Sequence, residues 1–144
     1  MSRLTDARQS LYDALSHVFD DPVDGLAFTA GRVHPYPPQT VAAPCVWIEQ
    51  HRGGPIQIGE RSTGIGVVFP VAIVYDGADR AQVAGLDELV GRVHDAAHLV
   101  GQPGDWSPQP VDVGGPTLRA TFFDVEIRIN AHTLCTPASL KEVV

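Results

Sequence analysis

Hydrophobic and polar positions follow two clear periods, one directly after the other, between residues 65 and 100. From residue 67 to residue 75 every side chain is apolar, so we expect a strand that is covered on both faces. Asp76-Gly77 ends this run. Apolar side chains then recur at steps of three and four, and Asp79 can cap the helix that this spacing predicts over residues 79–100. Its apolar stripe consists of Val83, Leu86, Val90, Val93, Ala97 and Val100. A stripe this wide must cover a sheet, and the preceding strand is the nearest candidate.

A second helix is predicted over residues 4–18, because apolar side chains that include Leu11 and Leu15 share one face. Arg8 is expected to lie away from that face. The helix ends before Asp20-Asp21-Pro22, which we interpret as a solvated turn.

Two short strands are predicted between the helices. Residues 31–38 are a short strand that runs into a proline-rich extended segment, and residues 44–50 form the next strand. After the second helix, residues 101–110 are interpreted as a Pro/Gly loop whose Trp106 folds back onto the core, with an exposed binding anchor as the alternative.

A hairpin is predicted near the end of the chain, where Gly114-Gly115 indicates a two-residue turn. Its outgoing strand begins at Leu118 and alternates apolar with polar side chains. One face of this strand therefore belongs to the core, and the other is wet. The wet face carries Asp124, Glu126 and Arg128.

Residues 52–63 form a polar arm in which only Ile56 and Ile58 are apolar. A loop of this length inside a compact domain is usually functional or disordered. We interpret it as a mobile arm that becomes ordered against a partner, with an idle surface hairpin as the alternative. Its glycines do not indicate a phosphate-binding loop, because no Gly-Lys-Ser/Thr follows them.

Composition changes this picture mainly by exclusion. The 144 residues fit one domain (1–144) that ends in a short tail, residues 136–144. Ten basic residues against 17 acidic ones give a formal net charge of −7. This balance disfavours a protein that binds nucleic acid or an anionic membrane surface, because either kind of binding requires a cationic face.

Cys45 and Cys135 form no Cys-x-x-Cys pair and no signal peptide is evident, which favours a reduced, intracellular protein. Cys45 is interpreted as a small buried residue, with a nucleophile as the alternative.

Catalytic chemistry has two weak candidates. His94 and His98 have the spacing of two zinc ligands on a helix, but Asp95 replaces the usual glutamate and no third ligand is evident. Asp124 and Glu126 share a strand face and can be an acid/base pair or simply solvated. No nucleophile elbow or Walker loop is present. The sequence therefore predicts a protein that is not an enzyme, with no catalytic residue, metal or cofactor assigned.

The order of the predicted elements is helix, two strands, arm, long strand, helix and hairpin. It resembles the tail terminator (tail completion) proteins of long-tailed bacteriophages. The resemblance covers roughly residues 4–131. It is carried by Leu11-Tyr12-Asp13-Ala14-Leu15, the phrase Arg32-Val33-His34-Pro35-Tyr36-Pro37-Pro38 before Pro44-Cys45-Val46-Trp47-Ile48, the run from Val68 to Tyr75, and Phe123-Asp124-Val125-Glu126-Ile127.

This resemblance implies an α+β domain, a mainly antiparallel mixed sheet with two packed helices, in the order α-β-β-β-α-β-β. It also implies a virion protein of the head-proximal tail, assembled in the host cytoplasm. Copies of the chain would form a hexameric ring that ends growth of the tail tube and meets the head-side connector or stopper protein. The genome DNA would pass through the ring without specific binding.

The hypothesis assigns two sets of site residues. Polar and apolar contacts to a neighbouring copy or partner would come from the arm residues Arg52, Ile56, Ile58, Glu60 and Arg61. Asp124, Glu126 and Arg128 would face the channel, where acidic side chains would repel DNA phosphates. The alternatives are another neck ring protein, such as a head completion or stopper protein, and a small zinc hydrolase that uses His94 and His98.

Overall fold

The computed structural model describes residues 3–20, 31–58, 62–106 and 111–130. Two helices, α1 (Arg3–Leu15) and α2 (Arg80–Ala97), accompany seven strands in this part of the chain. The strands are β1 (Arg32–His34), β2 (Cys45–Ile48), β3 (Arg52–Ile58), β4 (Ser62–Asp76), β5 (Gln102–Trp106), β6 (Val111–Asp112) and β7 (Leu118–Asn130). The predicted α+β class and the predicted order of elements are confirmed.

All seven strands join one mixed sheet, whose central path runs β1-β2-β4-β7-β5. The long strands β4 and β7 pair antiparallel over their length, with Ala72 opposite Phe122. Strand β3 pairs with the first half of β4, and β6 pairs with β7. Among the described strands, the β1–β2 pair alone is parallel. Strands β1 and β5 therefore lie at opposite edges of the sheet.

One face of the sheet packs against both helices and holds the larger core. Fully buried Phe69, Val71 and Ile73 of β4 meet Leu11 and Leu15 of α1 in this cluster. A smaller cluster on the opposite face is formed by Cys45, Trp47, Ala72, Val74 and Ala120. The prediction that β4 is covered on both faces is therefore confirmed between residues 71 and 75. Val68 and Pro70, nearer the hairpin, are only half-buried.

Helix α2 begins as predicted, because the Asp79 carboxylate accepts hydrogen bonds from the backbone N–H groups of Ala81 (3.0 Å) and Gln82 (3.4 Å). The predicted apolar stripe needs one correction. Val83 is 46% exposed, whereas Leu89, which the stripe omitted, is fully buried. The middle and the end of α2 pack against the sheet. An apolar residue in the first turn of the helix therefore has no part of the sheet to cover.

Two predictions about loops are wrong, and the predicted arm has the hairpin structure that was its alternative. Residues 102–106 form the edge strand β5 and not an irregular loop. Residues 52–58 form β3, which pairs with β4 as a regular hairpin. The β6–β7 turn is longer than two residues, since Asp112 pairs with Arg119, although Gly114 does adopt a positive φ of 145°. Neither helix of the described chain is long and apolar enough to span a membrane.

Candidate interaction surface

Three of the predicted site residues lie on the face of β7 that points away from the helices. Asp124, Glu126 and Arg128 alternate with the core residues Phe123 and Val125, as the pattern predicts. The Asp124, Glu126 and Arg128 side chains are 48%, 35% and 65% exposed. On this face of the sheet they lie next to the smaller apolar cluster, on the side nearer the β3–β4 hairpin.

Arg52 from the predicted arm lies beside them. It pairs with Val68, and its side chain crosses β4 to reach β7, where Nη2 donates to Asp124 Oδ2 at 2.6 Å. Arg128 Nε lies 3.9 Å from Glu126 Oε1. One residue of the arm set, Arg52, therefore meets the three predicted residues of β7 in one place. We call Arg52, Asp124, Glu126 and Arg128 the charged patch.

The charged patch has no formal net charge, because two guanidinium groups balance two carboxylates. The hypothesis of an acidic, DNA-repelling face at these residues therefore needs correction. Each carboxylate also has an arginine partner, which favours ion pairing over an acid/base pair. Pairs this exposed contribute about 0–1 kcal/mol each to stability.

Of the other predicted arm residues, the structure describes only the backbones of two. The backbones of Ile56 and Ile58 are in β3, opposite Gly64 and Ser62. Glu60 and Arg61 lie outside the described residues, as do Cys135 and the predicted tail, residues 136–144.

Sequence reasoning placed Arg8 away from the apolar face of α1, whereas the structure buries it. It is only 6% exposed, and its guanidinium donates to three backbone carbonyl oxygens. Nη1 lies 2.6 Å from Pro35 O and 3.0 Å from Ile48 O, and Nη2 lies 2.9 Å from Glu49 O. A signal was present, because Arg8 follows Leu4 by four residues and precedes Leu11 by three, which places it on the apolar stripe.

Arg8 lines a groove of about 480 Å³ between α1 and the residues that directly follow β1 and β2. The guanidinium also stacks on Tyr36, with its central carbon 4.4 Å from the ring centroid. Burial lowers the pKa of Arg8, while the neighbouring Tyr36 and Glu49 act in the opposite direction. Leu4, Glu49 and His51 line the groove with them.

The two histidines of the zinc hypothesis lie in different environments. His94 packs against Phe123, with ring centroids 5.6 Å apart, and meets Trp106 edge-on at 6.2 Å. His98 is an exposed residue at the end of α2. Within the described ranges, no three His, Cys, Asp or Glu side chains gather in a metal-binding cluster. His94 has a packing role in this arrangement.

Cys45 lies fully buried in β2, within the smaller apolar cluster. Burial raises its pKa from 9.0 to about 11, and a backbone hydrogen bond at Ala42 offsets this only in part. A thiol in this environment is a poor nucleophile near neutral pH, because the thiolate is the reactive form. The environment favours the interpretation of Cys45 as a packing residue.

No protein-family model matches the chain, and no match was found among curated proteins. Among solved structures, the fold is similar to a chain from the virion of a native gene transfer agent (GTA) particle. The TM-score is 0.54 at 18% identity, and the match covers 85% of this chain and 93% of the other. At this identity the similarity shows a shared fold.

Proposed function

We propose that this protein is a structural virion subunit that caps the end of a phage tail tube as a ring, which ends tube growth and provides the surface for head–tail joining. The observation that carries the proposal is the similarity in fold to a chain of the gene transfer agent virion, which extends over nearly the whole of both chains. The order of elements and the Arg32–Pro38 phrase support the same assignment independently, through the resemblance to tail terminators.

The charged patch supports a passive role toward DNA. A surface with balanced charges gains little from displacing phosphate counterions, so DNA that passed it would not be held. The other acidic residues of the chain, which carries a net charge of −7, would add a general repulsion. Asp124, Glu126 and Arg128 are proposed to face the channel on this basis.

The β3–β4 hairpin supports contact with another chain. Its root is fixed to β7 by the Arg52–Asp124 ion pair, and its strands pair from Arg52–Val68 to Ile58–Ser62. A ring of identical subunits requires each copy to offer a patch that is complementary to a different patch on its neighbour. The arm residues Arg52, Ile56, Ile58, Glu60 and Arg61 are proposed to make such contacts with a neighbouring copy, the tail tube protein or the connector.

Negative-stain imaging of purified protein mixed with tail tubes and, separately, with portal-side complexes from the same genome tests this function. A ring at one end of each tube is the expected result. Rings found only on portal-side complexes would identify a neck protein instead. Binding to neither would reject the proposed function.

A further inference from the structure

The two edges of the sheet present surfaces of different shape. Beside β1, the groove described above opens next to Tyr36, which is 56% exposed although it stacks on Arg8. At the β5 edge, Trp106 projects with 43% of its surface exposed. Leu99, in the turn that leads into β5, is 79% exposed. One edge is therefore concave, and the other carries protruding apolar side chains.

Both surfaces lie on the same side of the sheet. The groove is lined by α1 residues such as Leu4 and Thr5, and Trp106 contacts His94 of α2. Both helices pack on that side. A simple rotation about a ring axis, without a flip, would bring the β5 edge of one copy against the groove of the next.

The groove has the chemistry to accept an aromatic side chain. Tyr36 and His51 offer ring faces, and Leu4 offers an aliphatic one. Glu49 also lines the groove, and one oxygen of its carboxylate accepts the indole N–H of Trp47 at 2.6 Å. An incoming indole is also a donor only, so a carboxylate is a suitable partner for it.

The charges at the two edges are complementary. Arg32 on β1 is an exposed cation and Asp105 on β5 is an exposed anion. Neither side chain has an ion-pair partner among the residues that the structure describes. Opposite charges on opposite edges favour a head-to-tail contact and disfavour an edge meeting its own equivalent.

We propose that the groove beside β1 is the docking site for a second copy of this chain, which inserts Trp106 and places Asp105 near Arg32. The interface is heterologous, and its repetition closes a ring when the rotation between neighbouring copies divides a full turn evenly. The inference deepens the proposed function and rests on it, because it names the surfaces by which the capping ring would form.

The experiment uses full-length chains and five substitutions. Trp106→Ala removes the protruding ring, and Tyr36→Ala removes one wall of the groove. Val83→Ala is the matched control, because Val83 is 46% exposed on α2 and belongs to neither surface. Arg32→Asp and Asp105→Arg are made singly and together. Thermal unfolding of every variant identifies any that lose the fold, and light scattering over a range of concentrations measures association, alone and with tail tubes.

We expect Trp106→Ala and Tyr36→Ala each to weaken association about tenfold or more, as central aromatic anchors do, while Val83→Ala leaves it unchanged. A mixture of the Trp106 and Tyr36 variants retains one intact groove and one intact edge, so it should give dimers and no rings. The single charge reversals should weaken association, and the double reversal should restore it.

Several results would overturn the inference. These are wild-type protein that stays monomeric both alone and on tubes, association unaffected by Trp106→Ala or Tyr36→Ala, and a double charge reversal that is no better than either single one. The proposed function fails separately: rings that assemble through these edges but bind no tube would refute capping and leave the interface standing. Conversely, tubes that are still capped by rings of the Trp106→Ala and Tyr36→Ala variants would refute the interface and leave capping standing.

Discussion

At the scale of single residues, Arg8 connects three parts of the chain that are distant in sequence. It belongs to α1, and its guanidinium satisfies carbonyl oxygens after β1 and at the end of β2. A buried cation is costly unless its donors are paired, and here they meet three acceptors and a ring face. Arg8 thereby sets the position of the segment that carries Tyr36.

Arg8→Leu should lower the free energy of unfolding by about 2 kcal/mol or more, because it leaves buried carbonyl oxygens without donors. Gln9→Ala is the matched control on the exposed side of the same helix, where Gln9 bonds to Asp13. We expect that change to cost within about 0.5 kcal/mol. Urea unfolding of both variants measures the difference, and equal stabilities would show that the Arg8 contacts contribute nothing.

Cys45 should be protected from alkylation in the folded protein, because burial raises its pKa to about 11 and hides the sulfur. In a Cys135→Ser background, iodoacetamide should label folded protein at pH 8 at least about tenfold more slowly than protein in urea. Equal rates would contradict the buried position.

Because the pKa of the Cys45 thiol in the folded protein lies above 9.0, the free energy of unfolding should also fall as the pH rises above 9.0.

At the scale of elements, the sequence predicts both helices and the long strands well, because their apolar periods are set by burial against one sheet. Asp79 as the cap of α2 is the clearest case, since capping depends on local backbone geometry. Strands β3 and β5 are missed because their residues are rich in Gly and Pro and lack alternation. They form because β4 and β7 offer free edges to pair with, which is a property of the tertiary structure.

The residues of the candidate site likewise fall into some that the sequence predicts and some that it does not. The wet face of Asp124, Glu126 and Arg128 follows from alternation along one strand, so the sequence predicts it. The meeting of Arg52 with Asp124 does not follow from local pattern, because it joins residues 72 positions apart across β4. The groove depends on the position of Arg8, and a lone arginine on an apolar stripe is easily assigned to the surface.

Shortening the hairpin should separate folding from assembly. Deletion of residues 55–65 joins Gly54 to Gly66, which become the central residues of a two-residue Gly-Gly turn between the paired Gly53 and Val67. Arg52 and its contact with Asp124 remain. We expect a cooperatively folded protein, with a modestly lower melting temperature, that no longer stops tube growth.

Circular dichroism and tube capping, measured on the same preparation, check the shortened variant. The control is Arg52→Ala in the full-length chain, which removes the Arg52–Asp124 ion pair but keeps the whole hairpin. This variant should change the free energy of unfolding by about 1 kcal/mol or less, since the pair is exposed. If the shortened protein still caps tubes, the hairpin tip has no role in assembly.

At the scale of the whole molecule, the fold is a sheet with its helices on one face and a charge-balanced patch on part of the other. Its recognisable features are surfaces: two dissimilar edges, the β3–β4 hairpin and the charged patch. The proposed ring would use these surfaces to contact copies of this chain and neighbouring virion proteins. The similar chain in the gene transfer agent virion has the same overall architecture.

The length of tail tubes polymerised in the presence of this protein tests the central claim most directly. Tube protein from the same genome is polymerised with increasing amounts of the subunit, and lengths are measured by electron microscopy. We predict that mean tube length falls as the subunit is added, and that the stopped tubes carry a ring at one end and resume no growth with fresh tube protein. Tubes whose length and regrowth are unaffected by the subunit would contradict the account.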